Sequence, residues 1–493
     1  MNQVSLLRRR ALNAGPIHAD GAFVLYWMNA ARRCGWNHGL EHAADWARRL
    51  ARPLVILETL SCDYPWANLR LHRFALQGMA DNARRLATKP VIYHPFVEDR
   101  RGQIPALLRE WGGAACLVVT DEYPLRWHRQ LLVRTAAHLA VRCEAVDSCG
   151  LLPLRATEHD FPSAYAFRRF LQRELLPHLL SPPAADPLDE AGLAVSDPLP
   201  ASLAENWPAA AATLLAGDER AMASLPIDQQ IPPVATRGGA DAADQLLEGF
   251  LGQGLDAYQS LRNQPQAAVT SGLSAHLRWG HISSHEIVLR LLTREQWSPD
   301  RLAPDSRGRR SGWWGLSGNA EAFLDQLVTW RELGYNYTQH HDDYDRFDAL
   351  PPWARQTLQK HARDPRPELY SPEALAAGRT ADGLWSAAQG QLLREGQIHN
   401  YLRMLWGKKI LEWSPDPHQA LEVMIDLNNR LALDGGDPNS YSGIAWCLGR
   451  FDRPWGPERP IFGTVRYMSS RNTARKVAVD RYIQEYGVDR EAP

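Results

Sequence analysis

The sequence predicts an α/β amino-terminal domain with a parallel sheet, joined to an all-α carboxy-terminal domain. Its 493 residues are too many for one compact core, so more than one domain is expected. Short apolar runs alternate with helical segments only up to about residue 180, and helical periodicity alone continues after Gly239. We therefore place the α/β domain at 20–180, an interdomain linker at 181–239 and the helical domain at 240–493.

Five short apolar runs in the first domain have the length of buried strands. They are 22–28, 53–60, 91–96, 116–120 and 141–147. Helix-like stretches at 36–49 and 103–111 lie between them, as crossover helices do between the parallel strands of a Rossmann-like domain. No GxGxxG pattern follows the first run, so dinucleotide binding of the NAD type is not supported.

The strand signals end in a stretch rich in Pro, Ala, Asp and Ser between about Ser181 and Gly239, which is typical of a connection between domains. Helical periodicity dominates the rest of the chain. The predicted helices cover 241–260, 284–293, 318–333, 351–362, 385–413 and 417–431.

Composition limits the class of protein. The net charge is −1, so any binding to DNA must come from a local basic face and not from the whole surface. The six cysteines form no CxxC pair or zinc pattern, and we expect no bound metal. No run of 18 apolar residues and no cleavable leader pattern occurs, so we expect a soluble, cytoplasmic protein that spans no membrane.

A polar turn at Thr270, Ser271 and Ser274 precedes a helix-like stretch, where hydroxyls and backbone N–H groups can bind a diphosphate. The same residues also fit an N-terminal helix cap, and the local sequence alone favours the cap.

His399, Arg403 and Trp406 fall on one helix face, because they follow each other at four and three residues. An arginine on such a face requires an acidic partner, for which Asp434 and Asp437 are the candidates. Trp406 and Trp413 are two turns apart, roughly 10 Å along the axis, a spacing suited to electron hopping. An aromatic packing seam is the alternative, and spacing alone favours the seam.

Four segments of the helical half resemble the flavin-binding domain of the photolyase/cryptochrome superfamily, and class II cyclobutane pyrimidine dimer photolyases most closely. They are TSGLSAHLRWGHIS at 270–283, LWSAAQGQLLREGQIHNYLRMLWGKKILEW at 384–413, the LNNRLALDGGDPNSYSGIAW segment ending at 446, and DRPWGPERPIFGTVRYM at 452–468. Segments at 26–43 and 64–79 are similar to the family's antenna domain. The resemblance implies FAD as cofactor, DNA containing pyrimidine dimers as substrate, and light-driven repair of a flipped-out lesion.

The resemblance also assigns a cofactor site. The residues it implies for FAD binding are Tyr258, Thr270, Ser271, Gly272, Leu273, Ser274, Arg403, Asn428, Asp434 and Asp437. Within this set, Arg403 and Asp434 are expected to pair beside the flavin ring. Asn428 is expected to face the reactive flavin nitrogen, with Asn439 as a weaker candidate for that role.

Two further sets follow from the resemblance. Trp406, Trp385 and Trp413 correspond to an electron relay that reduces the flavin. The residues implied for lesion and DNA binding are Trp330, Trp446, Met404, Arg262, Asn263, Asp452, Arg453 and Arg466. Trp330 and Trp446 are expected to clamp the dimer, and Arg466 to lie near the emptied duplex. The cations are expected to contact phosphates, with affinity that falls as salt rises.

One position departs from the class II pattern. Gln326 stands four residues before Trp330, where the family carries a glutamate that hydrogen-bonds the dimer. An amide donates a hydrogen bond but cannot transfer a proton, so repair is expected to be slower or lesion specificity altered. The family also predicts an antenna chromophore, a deazaflavin or a folate, but SCGLLPLR at 148–155 is unlike the family.

The alternatives are a cryptochrome-like blue-light photoreceptor and a flavin- or DNA-binding protein without repair. The short segment after Met468 favours the enzyme over the photoreceptor. The three relay tryptophans argue against a mere binder. We expect a monomer that associates with the nucleoid when bound to DNA.

Overall fold

The computed structural model describes residues 4–189, 192–194, 199–304 and 307–488. A six-stranded sheet forms the centre of the first domain, in the order β1-β6-β5-β2-β3-β4. The strands are β1 (Arg9–Ala11), β2 (Phe23–Met28), β3 (Leu54–Leu60), β4 (Ile92–Val97), β5 (Ala115–Glu122) and β6 (Cys143–Asp147). All neighbouring pairs are parallel except β1 with β6, which is antiparallel.

The central strands β5, β2 and β3 are buried along their whole length because helices cover both faces of the sheet. Along β2, Phe23, Leu25 and Trp27 pack into one hydrophobic cluster, and Val24 and Tyr26 pack into the cluster on the opposite face. The covering helices of this domain are α1 (His38–Leu50), α2 (Leu69–Leu86), α3 (Gln103–Ala114), α4 (Arg126–Ala136) and α5 (Ala164–Leu179).

The connection after α5 carries three short helices, α6 (Ala201–Asn206), α7 (Ala212–Leu215) and α8 (Glu219–Ala223). It crosses the α/β domain, where the indole N–H of Trp207 donates to Glu110 at 2.7 Å. The described part of this stretch is therefore packed on the first domain and does not act as a free tether.

The helical domain has one continuous core. Its helices are α9 (Ala240–Gly252), α10 (Tyr258–Leu261), α11 (Ser274–Trp279), α12 (Ser284–Arg294), α13 (Gly318–Leu324), α14 (Arg331–His340), α15 (Pro352–Lys360), α16 (Pro372–Ala376), α17 (Gly383–Glu395), α18 (Asn400–Trp413), α19 (Pro417–Leu431), α20 (Pro438–Cys447), α21 (Ser470–Ala474) and α22 (Asp480–Tyr486). A π-helical turn, Asp325–Trp330, joins α13 to α14.

The structure corrects two predicted helices and adds one strand. The helix predicted over 385–413 is wrong, because Gly396 adopts a φ of 68° after α17 and separates it from α18. The helix predicted over 318–333 continues to His340 and contains the π turn. Strand β1 was not predicted, since three residues, RRA, carry no apolar alternation.

Several hydrogen bonds join the two domains. The buried Arg70 of α2 donates to the carbonyls of Leu392 and Leu431 in the helical domain, at 3.0 and 2.6 Å. Tyr123, directly after β5, donates to Asp437 at 2.8 Å. The Arg70 bonds reach carbonyls in the last turns of α17 and α19, and the Tyr123 bond reaches a side chain, so the two domains are joined by specific partners.

Candidate functional site

A cavity of about 690 Å³ lies inside the helical domain. This volume falls in the range of small-molecule and cofactor sites. Its walls come from distant parts of the chain, between α10 and α22. Predicted site residues that line it are Tyr258, Arg262, Asn263, Thr270, Ser271, Gly272, Leu273, Ser274, Gln326, Trp330, Arg403, Met404, Trp406, Asn428, Asp434 and Asp437.

One wall is the turn at 270–274. Gly272 has a φ of 67°, a left-handed conformation that favours glycine. Helix α11 starts after Leu273 without a side-chain cap, and the Ser271 hydroxyl accepts from the Leu273 N–H at 3.4 Å. The structure thus shows no capping of α11 by Thr270, Ser271 or Ser274, and these polar groups line the cavity.

Another wall of the cavity carries an ion pair. Nη2 of Arg403 lies 2.9 Å from Oδ1 of Asp434, and both side chains are mostly buried. Of the two candidate acids, Asp434 is therefore the partner of Arg403. Asn428, 4% exposed, lines the same wall, and its amide donates to the Asn429 side chain at 3.3 Å. Asn439 also lines the cavity.

Asp437 is the centre of a buried hydrogen-bond network. Its carboxylate caps α20 by accepting from the Asn439 N–H at 2.8 Å. The other oxygen accepts from the hydroxyls of Tyr123 and Tyr335, at 2.8 and 3.3 Å. Burial, and then the Asp437 charge, raise the pKa of Tyr123 well above its usual range, so its hydroxyl stays protonated and donates. Asp437 thereby holds the α/β domain, α14 and α20 together beside the cavity.

The three predicted relay tryptophans are in contact. Trp406 lines the cavity, and its indole N–H donates to the Gln389 side chain at 2.9 Å. The indole N–H of Trp385 donates to the Trp406 carbonyl at 3.0 Å. The rings of Trp385 and Trp413 are 5.4 Å apart between centroids. The path leads away from the cavity, but Trp413 itself is only 3% exposed.

A tyrosine continues this path. The ring of Tyr370 lies 5.2 Å from that of Trp413, nearly perpendicular to it. Its hydroxyl donates to Glu368, an exposed carboxylate. Tyr370 is the partly exposed end of the aromatic series Trp406, Trp385, Trp413, Tyr370.

The side chains of the π turn face different surroundings. Gln326 and Trp330 line the cavity, whereas Asp325 is buried on the other side against Arg168, at 3.0 Å, and Arg310, at 3.4 Å. The polar group that this turn offers to the cavity is therefore an amide and not a carboxylate.

The predicted DNA contacts divide into two groups. Arg262 and Asn263 are at the cavity wall, where the Arg262 guanidinium lies 5.9 Å from the Tyr258 ring. Asp452, Arg453 and Arg466 form a separate surface cluster with Trp455. In this cluster Arg466 pairs with Asp452 at 2.8 Å, and Trp455 lies between Arg466 and Arg453, at 4.2 and 5.0 Å. Among the described residues, no hydrogen bond joins the two groups.

Comparison with known proteins identifies the family. The sequence model of the family described as DNA photolyase matches residues 24–188. A protein named deoxyribodipyrimidine photo-lyase from Methanothermobacter thermautotrophicus is 32% identical over 97% of both chains. Proteins of the same name from Arabidopsis thaliana and Potorous tridactylus are 31% and 30% identical, over 97% and 94% of this chain and 92% and 80% of theirs. This chain belongs to the photolyase family.

The fold agrees with this assignment. A bacterial class III photolyase from Agrobacterium tumefaciens superposes with a TM-score of 0.68, covering 95% of this chain and 86% of that one, at 17% identity. At that identity the likeness supports the two-domain photolyase fold alone. The α/β domain with a mostly parallel sheet and the helical second domain, both predicted from the sequence, are confirmed.

The photolyase has a second cavity, of about 50 Å³, between the sheet and the helical domain. Tyr64, Trp127, His128, Arg278 and Trp279 are among its walls. This volume is far below the range of drug-sized ligand sites.

Sequence reasoning missed Gln389, Tyr370 and Lys408, which support or extend the aromatic series and the cavity wall. Gln389 lies 17 residues from the indole it contacts, and Tyr370 lies 43 residues before Trp413. No local pattern marks such residues, because their roles depend on contacts between different helices. In the described residues, no helix is long and apolar enough to cross a membrane, and no cluster of metal-ligating side chains occurs.

Proposed function

We propose that this photolyase repairs cyclobutane pyrimidine dimers in DNA with light, using FAD bound in the 690 Å³ cavity. The observation that carries the proposal is the set of side chains that line this one cavity. The polar 270–274 turn and the Arg403–Asp434 pair suit a diphosphate and a polar ring, and Trp330 and Met404 offer apolar surface next to them. The class II subdivision belongs to the same proposal and rests on the segments at 384–413 and 428–446.

When bound, FAD supplies light absorption and one-electron chemistry. The chain's own residues would bind the FAD and orient it. The 270–274 turn would hold the diphosphate, and Asn428 would offer its amide to the ring as donor or acceptor. Asp434 compensates the charge of Arg403 in this largely buried site.

Trp406, Trp385 and Trp413 provide a route for electrons from the protein surface to the cavity wall. Gln389 accepts the Trp406 N–H, which stabilises positive charge on that indole. Beyond Trp413, the Tyr370 hydroxyl can pass its proton to Glu368 when the ring loses an electron. The route begins at a partly exposed residue and ends at the cavity, as reduction of a buried cofactor requires.

The lesion would be held by Trp330 and Met404, which line the cavity, together with Trp446, which is not among its lining residues, since flat apolar side chains suit a pyrimidine pair. Arg262 and Asn263 at the cavity wall, and Asp452, Arg453 and Arg466 on the surface, would hold the flipped-out strand. Gln326 can donate a hydrogen bond to a base carbonyl from the π turn but cannot transfer a proton to it. We therefore propose slower repair of this lesion than a glutamate at position 326 would permit.

The test is light-dependent repair by the purified protein. Oligonucleotides with one cyclobutane dimer, single- and double-stranded, are incubated in blue light and in darkness, and restored thymines are counted by chromatography. Repair in light alone supports the proposal. A protein that binds reducible flavin but repairs nothing would instead be a photoreceptor of the cryptochrome kind. Parallel substrates with a (6–4) photoproduct test lesion specificity, and Gln326→Glu should increase the dimer repair rate.

Trp406→Phe separates the relay from repair. This variant should lose blue-light bleaching of the oxidised flavin band, yet repair dimers once a chemical reductant has been added. Bleaching at the wild-type rate would contradict the role of Trp406.

A further inference from the structure

Lys408 is a buried cation behind the cavity wall. It lies on α18, 0% exposed, directly after Trp406 and Gly407, which line the cavity. Its ammonium donates to the Cys447 carbonyl at 2.6 Å, near the end of α20. In the described part of the chain, no carboxylate pairs with it. A buried charge without an opposite partner is destabilising, and a neutral donor would satisfy the Cys447 carbonyl equally well.

The charge of Lys408 acts on an indole. Its Nζ lies 5.1 Å from the centroid of Trp446, within the range of a cation–π contact. Burial lowers the pKa of Lys408 to about 8, so the ammonium is retained at pH 7. The other titratable groups acting on it are the Cys447 thiol, Asp452 and Arg466. Burial raises the pKa of Cys447 to about 11, so that thiol is neutral at the same pH.

The relay indoles have a different electrostatic environment. Trp413 also has a lysine over its ring, Lys409 at 5.0 Å, but Lys409 is paired with Glu412 at 2.7 Å and Asp382 at 3.6 Å. Trp406 donates its N–H to a neutral amide oxygen. Arg466, which lies 5.6 Å from Trp446, is paired with Asp452. The unpaired cation among these contacts is therefore the one that faces Trp446.

We propose that Lys408 makes Trp446 a poor electron donor, so that electrons reach the cavity from Trp406 and the indole expected to clamp the lesion stays reduced. Loss of one electron from Trp446 would leave a positively charged indole next to the ammonium, and their repulsion in a low-dielectric setting opposes that step. The electron acceptor is the light-excited oxidised flavin, so this inference rests on the proposed function. Lys408 is a positioning residue for electron flow.

The first experiment needs no flavin. Flavin-free protein is exposed at pH 7 to azidyl radicals, which remove one electron from indoles, and oxidised tryptophans are located by peptide mass spectrometry. Trp455, 37% exposed and in contact with Arg453 and Arg466, is the internal reference. Lys408→Gln keeps a hydrogen-bond donor for the Cys447 carbonyl but removes the positive charge. Lys408→Met removes the donor and the charge, and Lys408→Arg keeps the donor and the charge.

Oxidation of Trp446 relative to Trp455 should rise about tenfold in Lys408→Gln and Lys408→Met and stay near the wild-type level in Lys408→Arg. A rise in Lys408→Met alone would mean that the lysine only caps α20, and would overturn the inference. Equal oxidation in all four proteins would overturn it as well.

The second experiment uses flavin-loaded protein that carries Trp406→Phe. The protein is exposed to blue light, and oxidised tryptophans are again located by peptide mass spectrometry. Oxidised Trp446 is expected when Lys408 is also replaced by Gln, and not when Lys408 is present. Oxidation of Trp446 to the same extent with Lys408 present overturns the inference. A purified protein that binds no flavin overturns the proposed function, whereas the azidyl result judges the effect of Lys408 on Trp446 separately.

Discussion

Asp437 is expected to be one of the most destabilising positions to truncate in this photolyase. Asp437→Ala removes the cap of α20, which costs about 1 kcal/mol. It also leaves the Tyr123 and Tyr335 hydroxyls without their acceptor. An unsatisfied buried hydroxyl costs about 1–3 kcal/mol, and the 3.4 Å contact between the two hydroxyls retains a partner for one of them. The loss in free energy of unfolding should therefore be about 3 kcal/mol.

A matched control separates the cap from the network. Asp416 caps α19 through the N–H groups of His418 and Gln419, and this carboxylate has no buried hydroxyl partner among the described residues. Asp416→Ala should cost only about 1 kcal/mol. Asp437→Asn keeps an acceptor oxygen, so its loss in free energy of unfolding should lie between the losses in Asp437→Ala and Asp416→Ala. Urea denaturation followed by tryptophan fluorescence measures all three. A loss in Asp437→Ala no larger than in Asp416→Ala would refute the reasoning.

Three other predictions concern pH, flavin retention and DNA. Burial raises the pKa of Glu332 to about 7, against opposition from Arg331, so its ionisation destabilises the fold as pH rises from 4.5 to 7. The free energy of unfolding of Glu332→Gln should therefore rise by about 3 kcal/mol relative to that of the wild type between pH 4.5 and 8. A difference between the two proteins that does not change with pH, measured by urea unfolding, would contradict this. A Cβ on Gly390 would lie 2.1 Å from the Tyr486 carbonyl and displace α22 from the cavity, so Gly390→Ala should release flavin faster. Gly249→Ala, where the Cβ meets nothing within 4 Å, should release flavin at the wild-type rate. Arg453→Ala should lower the salt dependence of DNA binding by about one phosphate contact. Arg173→Ala, which removes an exposed arginine of α5 that is paired with Glu174, should leave it unchanged.

The two-domain architecture could be predicted because it depends on local patterns. Strands buried on both faces read as short apolar runs, and their loss after residue 180 marked the change of domain. Helix ends were less predictable. Gly396 is a single residue within an apolar pattern, and only its left-handed backbone shows that α17 and α18 are separate helices.

The candidate site was predicted through long ordered motifs rather than through spacing. Spacing placed Arg403 and Trp406 on one helix face but left the acidic partner open between Asp434 and Asp437. The structure pairs Arg403 with Asp434 and gives Asp437 to two tyrosines from other elements. The roles of these residues in cofactor and lesion binding stay predictions for the experiments above.

The sequence by itself determined the photolyase family, the division into an α/β and a helical domain, and a set of site residues of which most line the cavity. Tertiary structure decided which of them meet. It placed Trp385 between Trp406 and Trp413, extended that series to Tyr370, and set the unpaired Lys408 against Trp446. The physical reason is that charge compensation and ring contact depend on distances between helices far apart in the chain, and no local periodicity encodes those distances.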